Sequence, residues 1–142
     1  MIAVDTNLLV YAHREDSEFH DEASLRVRDL AEGTSPWAIP WPCIHEFLAV
    51  VTHPRIYAPP TPVSRAIDQV EAWMQSPVLR LIGEDTGYWA VLRGILLSAK
   101  ATGGRVHDAR IAALSLRWRV SELWSADRDF SRFPALRVVN PI

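Results

Sequence analysis

The amino-acid sequence predicts an α/β fold: a parallel sheet covered by helices on both faces. Three observations carry that reading. Short apolar stretches alternate with longer amphipathic ones, the pattern of repeated βαβ units. The apolar stretches are continuous rather than alternating, as in strands buried on both sides. Proline and glycine mark most of the joins between them.

The first strand is Ile2-Ala3-Val4, followed by a short helix from Asn7 to about His13 that Thr6 can cap. A second helix is expected over Ser17–Glu32, with Phe19, Ala23, Val27 and Leu30 on one face, acids in its first turn and Gly33 at its end. Trp37–Ile39 reads as a strand between Pro36 and Pro40. Pro42 then opens a third helix, where its missing N–H costs nothing, and the apolar face Ile44, Phe47, Leu48 and Val51 carries it to about Thr52. The proline-rich segment His53–Pro62 is a stiff irregular connector, or part of a groove for a partner. Thr61 and Pro62 start a helix to about Gln75, Ser76-Pro77 breaks it, and Val78–Ile82 is the next strand. Asp85 or Thr86 begins a helix through Ala101, closed by Gly103-Gly104, and another runs from about Val106 to Trp118. Val120–Ser125 and Leu136–Val139 are the last strands. No repeat, linker or low-complexity tract interrupts the 142 residues, so one domain is expected over residues 1–142.

Composition narrows the function classes. With 49% apolar and 23% charged residues, the chain resembles an ordinary soluble domain. Cys43 is the lone cysteine, which excludes an intrachain disulfide and a thiolate zinc cage. The N-terminus lacks the pattern of a secretory leader, and no apolar run is long enough to span a bilayer. A cytoplasmic protein without a membrane association is the expectation. A net charge of −2 exerts no global pull on nucleic acid. The basic residues are nearly all arginine, which suits phosphate and carboxylate equally well.

The informative residues are acidic. Asp5 ends the first strand, and Asp127 and Asp129 follow the strand that ends at Ser125. In parallel sheets, ligands collect beyond the carboxyl ends of the strands, so these acids share an edge. Glu46 lies mid-helix beside Cys43, Ala49 and Val50, and Asp108 lies in the first turn of its helix. Each has an ordinary alternative: helix capping for Asp5, a solvated helix face for Glu46, dipole stabilisation for Asp108, turn chemistry for Asp127 and Asp129. Gathered near a core, ionised carboxylates are costly without a cation. Oxygen ligands favour hard ions, Mg²⁺ or Mn²⁺. Ser125 offers a hydroxyl to orient a carboxylate or a metal-bound water.

Asp5-Thr6-Asn7 after an opening strand, helical Glu46 before Phe47, His107-Asp108-Ala109 and Ser125-Ala126-Asp127-Arg128-Asp129-Phe130 together resemble the four acidic motifs of PIN-domain ribonucleases. The likeness is closest to the VapC-type toxins of toxin–antitoxin pairs, and the stretches Thr52-His53-Pro54-Arg55 and Val139-Asn140-Pro141 resemble that group too. The resemblance implies a three-layer α/β/α sandwich with a central parallel sheet of four to five strands. It implies Mg²⁺- or Mn²⁺-dependent endoribonucleolytic cleavage, with Asp5, Glu46, Asp108 and Asp127 as the catalytic acids and Asp5, Asp108 and Asp127 as metal ligands. Thr6, Asn7 and Ser125 would support the site. Asp129 would be a supporting residue, a ligand to a second ion or simply the end of the turn. A homodimer, a VapB-like antitoxin partner and an RNA substrate are implied as well.

His45 and His107 adjoin key acids, but neighbouring helical residues point about 100° apart and do not make a metal set. Most of the six tryptophans suit packing, with Trp41, just before the Glu46 helix, the candidate for base stacking. A non-catalytic nucleic-acid binder of the same fold is the first competing reading; it conflicts with bare carboxylates, which repel phosphate. A phosphotransfer receiver expects paired acids at the first strand and a late lysine, and neither is present. A haloacid-type phosphatase wants an aspartate where Asn7 stands. A PIN nuclease acting on DNA or in RNA processing, outside any toxin system, is the nearest rival.

Overall fold

The computed structural model describes residues 1–142. Its elements, in chain order, are β1 (Ile2–Val4), α1 (Thr6–His13), α2 (His20–Glu32), β2 (Trp37–Pro40), α3 (Trp41–Val51), α4 (Val63–Met74), β3 (Leu79–Ile82), α5 (Tyr88–Ala99), α6 (Arg105–Arg117), β4 (Glu122–Trp124), a 3₁₀ turn (Arg128–Arg132) and β5 (Val138–Val139). All strand pairs are parallel, in the order β3-β2-β1-β4-β5. The expected three-layer arrangement with five strands is what forms.

That order dictates the layers. From β1 the chain steps to β2 and then β3 in one direction; from β3 it returns past β1 to β4 and β5. Right-handed crossovers therefore put α1–α4 on one face and α5–α6 on the other. Packing agrees, since α1 touches α2 and α3, α3 touches α4, and α5 touches α6. The direction reverses beside β1, so β1 and β4 flank the topological switch, where the crevice of such sheets opens. Asp5 stands at the carboxyl end of β1, and its N–H donates to the Trp124 carbonyl at the end of β4 (3.0 Å).

Central strands carry the least polarity. Every residue of β2 is buried. Trp37 is fully buried, and its indole N–H finds the Ser76 hydroxyl at 3.1 Å, which in turn donates to the Ala31 carbonyl. Phe47 meets Trp73 edge-on at 4.8 Å beneath α3 and α4. No buried side-chain nitrogen or oxygen lacks a hydrogen-bond partner. No helix is long and apolar enough to cross a membrane.

Several boundaries differ from expectation, each for a local reason. Asp5, not Thr6, caps α1: its carboxylate accepts from the Thr6 N–H at 2.8 Å, making Thr6 the first helical residue. The second helix starts at His20 rather than Ser17, because the Ser17 hydroxyl and carbonyl capture the Phe19 and His20 N–H groups in a turn. Asp85 is committed to a two-pronged pair with Arg117, so α5 starts later, at Tyr88. It ends at Ala99, before the expected Ala101, because Lys100 turns into the left-handed region (φ 52°). β4 and β5 are shorter than the apolar runs that contain them, and the 3₁₀ turn after Asp127 was not foreseen.

Candidate active site

Four elements deliver the acids to one cleft. Asp5 leaves β1, Glu46 projects from α3 one turn past β2, Asp108 lies in the first turn of α6, and Asp127 follows β4. All four line a cavity of about 520 Å³, together with Thr6, Asn7 and His107. The predicted convergence of distant side chains is therefore present.

Asp5 is the fixed floor. It is 6% exposed, and its carboxylate accepts from four donors: the Thr6 N–H (2.8 Å), the Asn7 amide (3.1 Å), the Ser125 hydroxyl (2.7 Å) and, more distantly, the Cys43 thiol (3.6 Å). Burial pushes its carboxyl up to about 6, against hydrogen bonds from Ser125 and Thr6 that favour the charged form, and nearby Glu46 adds to the rise. Burial also pushes the Cys43 thiol well up, so it stands as a neutral donor. The supporting residues knit the two sides of the switch together. Asn7 donates to Asp5 and to the Ser125 hydroxyl, and its carbonyl oxygen accepts from the Ala126 N–H. The Ser125 oxygen accepts from the Asp127 N–H (3.0 Å), and an Asp127 oxygen accepts from the Asp129 N–H (2.8 Å). Thr6 reaches the other way, donating to Glu46 at 3.1 Å. Glu46 itself is more open to solvent than its apolar neighbours in sequence suggest.

Carboxylate oxygens of Asp108, Asp127 and Asp129 lie within 4.8 Å of one another. Asp129, for which a supporting place, a ligand role and a mere turn end were all open, thus joins Asp108 and Asp127. Asp5 lines the same cleft but stands outside this trio. The Asp108 carboxyl is held above the usual carboxylate range by burial first and then by Asp127, Asp129 and Glu46, with His107 opposing. An all-oxygen set whose members repel one another fits a hard divalent cation, which would relieve that repulsion.

The cleft has a second half that sequence reasoning missed. Val10, Tyr11, Val50, Tyr57 and Ile111 continue the wall beyond the acids. Helical spacing could have found most of them. Val10 and Tyr11 follow Asn7 by three and four residues, Val50 follows Glu46 by four, and Ile111 follows Asp108 by three. Each helix thus shows its polar group at the top and an apolar one a turn below. Tyr57 comes from the irregular 53–62 segment and had no such signal. Trp41, 37% exposed, packs beside His45 instead of lining the cleft.

Comparison with known proteins places this geometry. The PIN domain family model matches residues 2–136. Ribonuclease VapC48 of Mycobacterium tuberculosis is 34% identical over 137 residues, spanning 96% of this chain and 94% of that protein. Among solved structures, VapBC2 from Rickettsia felis, bound to a DNA fragment from its promoter, superposes with a TM-score of 0.66 at 20% identity, covering 98% of each chain. A toxin–antitoxin complex from Klebsiella pneumoniae gives 0.64 at 18% identity over 100% of this chain and 98% of that one. Taken with the four acids at the sheet's switch point, these matches establish that the chain belongs to the PIN domain family and groups within it with the VapC proteins.

Proposed function

We infer that the protein is a divalent-metal-dependent endoribonuclease, the toxin of a toxin–antitoxin pair. The single observation carrying the chemistry is the approach of Asp129 to Asp108 and Asp127, two of the acids that line the cleft with Asp5. Asp5, Asp108 and Asp127 are the proposed ligands, and the closeness of Asp129 to two of them makes it a fourth. Mg²⁺ or Mn²⁺ suits these oxygens, and supplies an activated water and charge neutralisation at the phosphate. The chain's own residues do the rest. Ser125, Asn7 and the Thr6 N–H hold Asp5 in one orientation, and Thr6 holds Glu46 at the rim. Glu46 and Asp127 face the cleft as acceptors for a water proton. RNA is the proposed substrate, in line with the ribonuclease name of the 34%-identical relative.

A protein antitoxin and a second copy of the chain are the proposed partners. The K. pneumoniae complex supports the first. The face of α5 supports the second: none of its residues is buried, and Trp89 and Leu97 are 62% and 63% exposed. The test is cleavage of total cellular RNA with Mg²⁺ or Mn²⁺ by the wild type, Asp5→Asn and Asp108→Asn. The wild type should cut and lose cutting on chelation, and both variants should fold but not cut. Undiminished cutting by both would remove the assignment.

A further inference from the structure

The apolar half of the cleft contains a rigid aromatic wall. Tyr57 and Tyr11 line the same cavity as the four acids, together with Val10, Val50 and Ile111. Tyr57 is fixed from behind. The Arg14 guanidinium stacks over its ring, 4.1 Å from the centroid. Arg14 is itself immobilised by a two-pronged pair with Asp16 and by hydrogen bonds to the Pro59 carbonyl (3.0 Å) and the Thr61 hydroxyl (3.2 Å). Tyr11 is backed by Phe19, with ring centroids 5.1 Å apart. Both tyrosines are half-buried and neither phenol oxygen bonds within the fold, so both are open to the solvent of the cleft. Burial raises the Tyr57 hydroxyl against the opposing charge of Arg14, with Asp16 and Tyr11 adding to the rise, so it stays a neutral donor.

An acidic cleft poses a problem for a polyanionic ligand. Even with a cation in place, electrostatics here supply little of the affinity that basic grooves provide. Stacking on aromatic rings is the alternative, and it is tolerant of sequence. We propose that Tyr57, with Tyr11 beside it and Arg14 positioning it, forms a platform for the unpaired nucleobase next to the phosphate held over the acids. The cavity of about 520 Å³ has room for that base as well as the phosphate, and such volumes are typical of ligand pockets, about 300–1,000 Å³. This inference rests on the ribonuclease reading and names how the substrate is gripped.

The test uses the full chain and two readouts. Binding is measured by fluorescence anisotropy with uncleavable 2′-O-methyl oligonucleotides, intact or carrying one abasic site at successive positions. Cutting is measured on the matching RNA with Mn²⁺. Tyr57→Ala should weaken binding of intact strands by about five- to a hundredfold and raise KM more than it lowers kcat. The loss should vanish when one particular position is abasic. Tyr57→Trp should restore binding and Tyr57→Phe should nearly match the wild type; circular dichroism and thermal melts of all three verify folding. Tyr57-dependent binding without any cutting by the wild type would support the platform and overturn the ribonuclease reading. Normal cutting with no difference between wild type and Tyr57→Ala on any strand would overturn the platform alone. Loss of a co-purifying protein from Tyr57→Ala, with oligonucleotide binding intact, would assign the wall to a protein occupant and overturn it too.

Discussion

Asp5 shows how a single buried side chain ties the stability of the fold to pH. Its folded carboxyl titrates near 6, above the ordinary 3.8. The cation-free native state therefore holds a proton more tightly than the unfolded chain does. The resulting stabilisation is fully present below about pH 4 and is lost as pH rises through 6. Without metal, the melting temperature should rise as pH falls from 7 to 5, with this residue contributing on the order of 3 kcal/mol across the full range. Melts in chelator at the two pH values check this, and added Mn²⁺ should restore stability at pH 7. Asp5→Asn should flatten the pH dependence and stabilise the cation-free protein at pH 7 by roughly 1–2 kcal/mol while abolishing cutting. Asp129 invites a graded comparison. Asp129→Asn should weaken Mn²⁺ affinity about tenfold, a step of about 1.4 kcal/mol, yet cut RNA at high metal. Asp108→Asn should not recover at any concentration. Calorimetric Mn²⁺ titrations beside cleavage assays separate the two.

Among the elements, apolar runs and prolines were enough to locate all five strands and six helices, because buried strands and amphipathic helices leave different periods in a chain. Their ends were less readable, since ends are decided by competing local bonds. Asp5 caps α1 only because it sits at a strand end with the Thr6 N–H in reach, and Asp85 leaves α5 because Arg117, 32 residues later, claims it. The acids were readable one by one, but their separation was not. Nothing along the chain indicates that Asp129 comes within 4.8 Å of Asp108. Tyr57 was invisible for a further reason: its place is set by Arg14 and the 53–62 connector, not by any period. Lys100 offers a test at this scale. It closes α5 in a left-handed conformation (φ 52°) that glycine adopts freely. Lys100→Gly should stabilise the fold by about 0.5–1 kcal/mol without altering cutting, as denaturant melts would record.

At the scale of the whole molecule, the α5 face is the part the single chain leaves unfinished. Trp89 and Leu97 stand in solvent on a helix with no buried residue. Leu97→Glu should convert the proposed dimer into a monomer in sedimentation, with the cleft residues undisturbed, and a wild type that sediments as a monomer would remove the dimer proposal. The switch between β1 and β4 has a different kind of consequence. Asp5 is oriented by Ser125, 120 positions away, and Asp127 and Asp129 arrive later still. A nascent polypeptide lacks half of this charge trap until Asp127 and Asp129 have been added. The acidic cluster therefore cannot assemble on a polypeptide made only as far as α6; it waits for Asp127 and Asp129.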